Sequence, residues 1–176
     1  MPELQLVRVD HGPAVLAFEL ENRGYFTESI SDRGDDYFDQ FENRHNEWLA
    51  DQDAGNCAGY VLVDEDGSVL GRLNLYRIKD GTAEVGYRIA QRVAGRGVAT
   101  AGVVQELCEL AASRYGLRSL RAATSDQNAA SQRVLIKAGF GPAGPADPAD
   151  IGGKQGSWYR RELPSADRRP PSQEAT

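Results

Sequence analysis

Between Cys57 and Ile89 the chain runs through three strand-like segments separated by two tight-turn signals. Cys57 to Val63 is β-rich and ends at Asp64-Glu65-Asp66-Gly67. Val69 to Ile78 alternates apolar and polar residues and ends at Lys79-Asp80-Gly81, and Ala83 to Ile89 completes the set. Turns this short join antiparallel neighbours, so the segment predicts a three-stranded meander. Upstream, Leu4 to Val9 alternates like a strand. Asp10 caps a predicted helix through about Glu21, with Pro13 in its first turn, where a missing N–H costs little. Arg23 to Gly34 reads as a loop. Asp35 to Asp51 reads as a second helix, with Phe38, Phe41, His45, Trp48 and Leu49 as its inner stripe.

Downstream the period changes. Gly95 to Gly116 is the clearest helix, with Ala101, Val104, Cys108, Ala111 and Tyr115 on one stripe and a glycine at its end. Leu117 to Ala123 is a short strand, and Ser125 or Asp126 caps a further helix through Lys137. Phe140 and Ser157 to Leu163 read as the last two strands, and Pro142 to Gly156 as a long exposed loop. Hairpins in the middle and helical crossovers afterwards imply an α/β (α+β) chain with a mixed central sheet of about seven strands and about four helices.

The chain has 176 residues and a net charge of −6. That length suits one domain with a buried core, expected over residues 1–163. Residues 164–176 hold three prolines and no large apolar residue, and are expected to be a disordered tail. The acidic balance disfavours a nucleic-acid coat but allows a local basic pocket. No apolar run approaches a membrane span, and the first residues lack a signal-peptide pattern, so the expected compartment is the cytoplasm. Cys57 and Cys108 are expected to be buried and reduced, and no Cys/His cluster has metal spacing.

The informative segment is Ile89-Ala90-Gln91-Arg92-Val93-Ala94-Gly95-Arg96-Gly97-Val98-Ala99-Thr100. A strand enters a glycine-spaced turn that opens a helix. Glycines let the backbone approach a ligand closely, and the free N–H groups of a helix start attract phosphate. A Gly-x-Gly here is also an ordinary turn. It is not a P-loop, because Val98 follows Gly97, and it lacks the third glycine of a dinucleotide fingerprint.

Arg92-Val93-Ala94-Gly95-Arg96-Gly97 resembles the Gln/Arg-x-x-Gly-x-Gly/Ala pyrophosphate loop of the GNAT superfamily of acetyl-CoA-dependent N-acetyltransferases. The run from Asn128 to Phe140, with its Asn-x-x-Ser and Lys-x-Gly-Phe form, is similar to the RimJ/RimL branch, which acetylates protein N-termini. Glu84-Val85-Gly86-Tyr87 resembles the strand before that loop. The three motifs stand in the right order within a resemblance covering about residues 4 to 163.

The resemblance implies a GNAT fold in which two parallel strands splay apart and acetyl-CoA lies in the gap. It assigns the cofactor to Tyr87, Arg88 and Ile89, to Arg92, Gly95, Arg96, Gly97, Val98, Ala99 and Thr100, and to Asn128 and Ser131. Arg133 and Lys137 would meet the outer phosphates, or are solvated surface charges. Glu84 is the candidate general base, or a structural carboxylate pairing across the sheet. The proton donor usual in this superfamily would fall at Leu135, which has no hydroxyl, so Ser131 is the replacement and Tyr87 the other nearby hydroxyl. An oxyanion donor is expected from backbone near Tyr87. The acceptor site is expected from Tyr25, Phe26, Thr27 and Glu28 with Asn74 and Tyr76, and the acidic chain would favour basic peptides or polyamines. Arg88 stands where the branch usually carries an aromatic. The resemblance therefore implies transfer of acetyl to a primary amine, foremost a protein N-terminus, by direct attack on the thioester. The alternatives are a small amine (aminoglycoside, polyamine or amino acid) as acceptor, or a non-catalytic acyl-CoA-binding module. Neither metal, nucleic acid nor membrane is expected as a partner, and the chain is expected to be a monomer or homodimer.

Overall fold

The computed structural model describes residues 2–28, 31–94, 97–151 and 153–164, with the side chains of 97–99 outside that description. The expected tail therefore lies almost wholly outside the described residues. Among those residues the strands are β1 (Glu3–Leu6), β2 (Ala58–Val63), β3 (Val69–Lys79), β4 (Thr82–Ile89), β5 (Ser119–Ser125), β6 (Gly141–Ala146) and β7 (Gly156–Glu162). The α-helices are α1 (Gly12–Glu21), α2 (Arg23–Thr27), α3 (Asp35–Asp39), α4 (Phe41–Asp53), α5 (Gln91–Ala94), α6 (Gly97–Tyr115) and α7 (Ala129–Lys137).

One mixed sheet runs in the order β1-β2-β3-β4-β5-β7-β6, antiparallel throughout except for the β4–β5 pair. Both faces are covered, so Ala58–Leu62 and Val69–Leu75 are buried without interruption. On one face Tyr60, Leu73, Leu75 and Val85 pack with Val104, Cys108 and Leu135 of α6 and α7. On the other, Val61 and Val69 pack with Val15, Phe18 and Phe41 of α1 and α4. The same alternation sends Arg72 and Asn74, in the middle of β3, into that second layer as buried polar residues.

The meander stands as the sequence predicts, and α6 keeps its stripe, with Tyr115 bonded through its hydroxyl to Tyr60 at 2.9 Å. Gly116 follows in the left-handed region at φ 64, which ends the helix without side-chain strain. Both cysteines are buried and free.

Five expectations need correction. Asp10 does not cap α1 but lies inside a short 3-10 turn, Val9–His11, that leads into the helix. The Arg23–Gly34 segment begins with a helical turn, α2, because Phe26 folds back onto Phe18 at 5.5 Å between ring centres. The single helix expected from Asp35 to Asp51 is two, broken at Gln40. Phe41 and His45 are buried, whereas Phe38 lies under the Arg23 guanidinium at 4.3 Å. Helix α7 is capped by Asn128, not by Ser125 or Asp126. The expected loop from Pro142 includes strand β6, which pairs with β7 at the sheet edge, where proline's missing N–H is tolerated.

Candidate active site

Strands β4 and β5 are held in parallel register only at Thr82–Ser119, Ala83–Leu120 and Glu84–Arg121. Beyond that they part. β4 stays on β3 as far as Ile89, and β5 stays on β7 as far as Ser125. Each strand thus keeps one paired edge and, among the described residues, turns an edge without a strand partner to the gap. Buried backbone N–H and C=O groups need partners. A slender chain carrying its own amides fits such a slot, as the pantetheine arm of coenzyme A would.

The gap has two lobes. The first, about 180 Å³, is bounded by Tyr25 and Phe26 of α2, Arg88 and Ile89 of β4, and Thr100 of α6. The second, about 330 Å³, is bounded by Val85 and Gly86 of β4, residues 122–125 of β5, Leu135, Asp150, Ile151 and Lys154. Tyr87, Asn128 and Ser131 line both. The Tyr87 and Ser131 hydroxyls lie 2.9 Å apart, and Tyr87 Oη also donates to the Ser131 carbonyl at 3.4 Å. Burial pushes the Tyr87 phenol up to about 12, against a smaller opposing pull from Ser131, so Tyr87 holds its proton at neutral pH.

Ser131 is aimed by its helix. Asn128 Oδ1 accepts from Ser131 N at 3.1 Å, which caps α7 and fixes its first turn in the gap. The NH₂ of Asn128 is the donor its side chain can offer a ligand. Leu135 is buried one turn further on and brings only apolar surface.

Glu84 sits where the strands part. Its Oε1 accepts from Arg121 Nη2 at 2.7 Å and from Arg77 Nη1 at 3.2 Å. It lines neither lobe. Arg77 is in the left-handed region, φ 50, beside the irregularity in β3 after Tyr76.

The remaining sequence candidates divide. Arg88 forms an ion pair with buried Glu19 at 3.5 Å, and Arg92 donates to Ser68 Oγ at 3.1 Å in the β2–β3 turn. Arg133 and Lys137 are exposed. Gly95 and Arg96 lie outside the described residues, and Gly97, Val98 and Ala99 form the first turn of α6. Glu28 is exposed just past α2, and Asn74 and Tyr76 line a separate cavity between β3 and α4. The charges beside that cavity are mixed, with Glu47 and Asp51 as well as Arg33, Arg44 and Arg72 on its wall. Glu19 is surrounded by Arg72 at 2.7 Å, Arg33 at 3.3 Å and Arg88 at 3.5 Å.

Sequence reasoning missed Thr124, Ser125, Asp150, Ile151 and Lys154 in the second lobe. One signal was present. Gly156 in β7 allows close approach to Thr124, whose carbonyl a Cβ there would strike. Among the described residues no cluster of His, Cys, Asp and Glu is arranged to hold a metal, and no helix is long and apolar enough to cross a membrane.

A family model described as an acetyltransferase (GNAT) domain matches residues 22–141. No curated protein sequence matches the chain. The fold is similar to that of a ribosomal-protein-S5-alanine acetyltransferase from Vibrio fischeri, at TM-score 0.84 and 17% identity over 96% of both chains. It is also similar to Mycobacterium smegmatis RimJ in complex with a CoA-disulfide, at 0.78 and 20% over 95% of this chain and 83% of that one. A third neighbour is a Vibrio cholerae spermidine N-acetyltransferase in complex with CoA and spermine, at 0.76 and 15% over 92% and 95%.

Proposed function

The chain belongs to the GNAT acetyltransferase family, and from that premise we propose that its acceptor is the α-amine at the N-terminus of a protein or peptide. Acetyl-CoA is the co-substrate and supplies an activated acyl carbon with a thiolate as leaving group. The observation that carries the transfer chemistry is the pairing of the Tyr87 and Ser131 hydroxyls where β4 and β5 part.

The residues divide the work as follows. The facing edges of β4 and β5 bind the pantetheine amides, with Asn128 as a side-chain donor. The N–H groups of the first turn of α6, from Gly97 to Thr100, take the diphosphate. Tyr87 passes a hydrogen bond to Ser131, and Ser131 donates to the departing sulfur. A thiolate with a solution pKa near 8.5 needs little more than one such donor.

Glu84 is a positioning residue in this scheme. Two guanidiniums hold its carboxylate, and the bonds tie β3 to β5 at the last parallel pair. That favours an acceptor that gives up its proton without a strong base. An α-amine has a pKa of about 7.7–8.0 and is partly neutral at physiological pH, whereas an alkyl ammonium near 10.4 is not. Two neighbours support the same choice by their names: the Vibrio fischeri enzyme, for an alanine of ribosomal protein S5, and a Salmonella typhimurium acetyl transferase that modifies the N-terminal serine of ribosomal protein L7/L12. The spermidine enzyme among the neighbours favours a polyamine instead. Against it stands the same pKa argument, since the alkyl ammoniums of a polyamine stay protonated at physiological pH.

The test is release of CoA thiol from acetyl-CoA in the presence of short peptides and of polyamines. Release with peptides carrying free N-termini is expected. Release with small amines alone overturns the acceptor, and tight acetyl-CoA binding without release for any amine overturns the catalytic reading.

A further inference from the structure

We infer that Arg88 binds a carboxylate on the acceptor, so that the preferred N-termini carry an acidic first or second residue; this rests on the acceptor being a peptide amine. Arg88 walls the first lobe of the gap together with Tyr25, Phe26 and the paired hydroxyls of Tyr87 and Ser131. Among the described residues it is the one charged side chain on that wall.

Its guanidinium is held in place without being used. The carbon at its centre lies 5.2 Å from the middle of the Phe26 ring, and Nη1 is 3.5 Å from Glu19 Oε2. A ring takes no ordinary hydrogen bond, and Glu19 is engaged elsewhere, accepting from Arg72 at 2.7 Å and from Arg33 at 3.3 Å. Among the described residues no acceptor makes a hydrogen bond with the Arg88 side chain. The side chain is 19% exposed, so its donors are open to a ligand. Those donors form a planar fork that matches the two oxygens of a carboxylate.

Charge selects the ligand. Arg33, Arg72 and Arg88 share the one carboxylate of Glu19, so positive charge is in excess there. Glu47 and Asp51 line the other cavity and not this lobe, and Asp32, in the small cleft behind Arg88, is paired with Arg23. Burial, and after it repulsion from Arg33, hold the Arg88 guanidinium below its ordinary value. An anion in the lobe offsets both effects, whereas a further cation adds to the repulsion. The net charge of −6 belongs to the whole surface, and charges more than about 8–10 Å away are screened by salt.

The position is the acceptor's and not the coenzyme's. Successive residues of a strand point to opposite faces of the sheet. Tyr87 reaches Ser131 on α7, and Arg88 reaches Glu19 on α1 and Phe26 on α2. With the diphosphate on the first turn of α6 and the pantetheine beside Asn128, the coenzyme takes the α6 and α7 side. The amine then meets the thioester from the α1 and α2 side, past Arg88. The lobe measures only about 180 Å³ and is walled by both Arg88 and the hydroxyl pair. One residue of a peptide spans about 3.8 Å, so a carboxylate on Arg88 belongs to the residue that carries the amine or to the next.

The experiment compares short acceptor peptides that differ only by aspartate against asparagine, at the first residue or at the second. The aspartate-to-asparagine ratio of kcat/KM is measured in the wild type, in Arg88→Gln and in Arg88→Lys. Comparing ratios between proteins cancels both the carboxylate's own effect on the amine and any change in coenzyme binding. The wild type is expected to favour aspartate by about tenfold or more at one of the two positions, as a charged hydrogen bond gives. That ratio should fall to near one in Arg88→Gln and stay between the two in Arg88→Lys. A wild-type ratio near or below one at both positions overturns the inference without any variant, and so does a preference that survives Arg88→Gln; in either case turnover of the peptides leaves the acceptor reading standing. Thiol release with small amines or free amino acids but with no peptide overturns the acceptor reading and this inference with it.

Discussion

Tyr87 and Ser131 are 44 residues apart in the chain, and each is unremarkable where it stands. The sequence shows that Leu135 cannot donate a proton and that Ser131 is the nearest replacement. It does not show that the hydroxyl of Tyr87 rests on Ser131, because that contact requires β4 and α7 to meet. If the two act in series, breaking either link has the same effect. Tyr87→Phe and Ser131→Ala are each expected to lower kcat about tenfold, and the double variant should be no slower than the worse single one. Steady-state kinetics with saturating acetyl-CoA checks this, and additive losses would mean separate roles. The pH dependence has a definite sign. The fold raises the Tyr87 phenol to about 12 from its usual value near 10, so it favours the protonated form. That stabilisation is complete below about pH 10 and is lost as pH rises through about 12. The kcat profiles of wild type and Tyr87→Phe should therefore run parallel from pH 6 to 9.5.

At the scale of elements, tight turns and long periodic helices were legible, because both are decided by neighbours in the chain. The break between α3 and α4, the extra turn α2 and the edge strand β6 were not. Each depends on what the segment packs against, as Phe26 does on Phe18 and β6 on β7. Ion pairs between elements were equally hidden. Glu84 joins β4 to β3 and β5 through partly exposed arginines, and such pairs are worth about 0–1 kcal/mol. Glu84→Gln should therefore cost little in thermal stability and leave the pH profile of kcat/KM in place; a displaced acidic limb would instead identify Glu84 as the base. Glu19 is a different case, at 1% exposure with three guanidiniums around it. Glu19→Gln strands the buried Arg72 charge, and a loss of about 3–5 kcal/mol in a denaturant titration is expected. A loss under 1 kcal/mol would show that water reaches the cluster.

For the molecule as a whole, the open gap between β4 and β5 makes stability depend on ligand. Acetyl-CoA at a hundred times its Kd should add about 2.7 kcal/mol and raise Tm by roughly 5–10 °C. Gly97→Val, which crowds the start of α6, should abolish most of that rise in a thermal melt; an undiminished rise would move the diphosphate elsewhere. Much of this architecture follows from the sequence alone. The order of strands and helices, the glycine-spaced entry to α6 and the Asn128-to-Ser131 spacing are local patterns, written in turn chemistry and in periods of two and 3.6 residues. The tertiary structure decided the rest: that β4 and β5 part after Glu84, that Tyr87 meets Ser131, and that Glu19 gathers three arginines. Those facts arise from register and packing between segments dozens of residues apart, and no spacing along the chain encodes which side chains such packing will bring together.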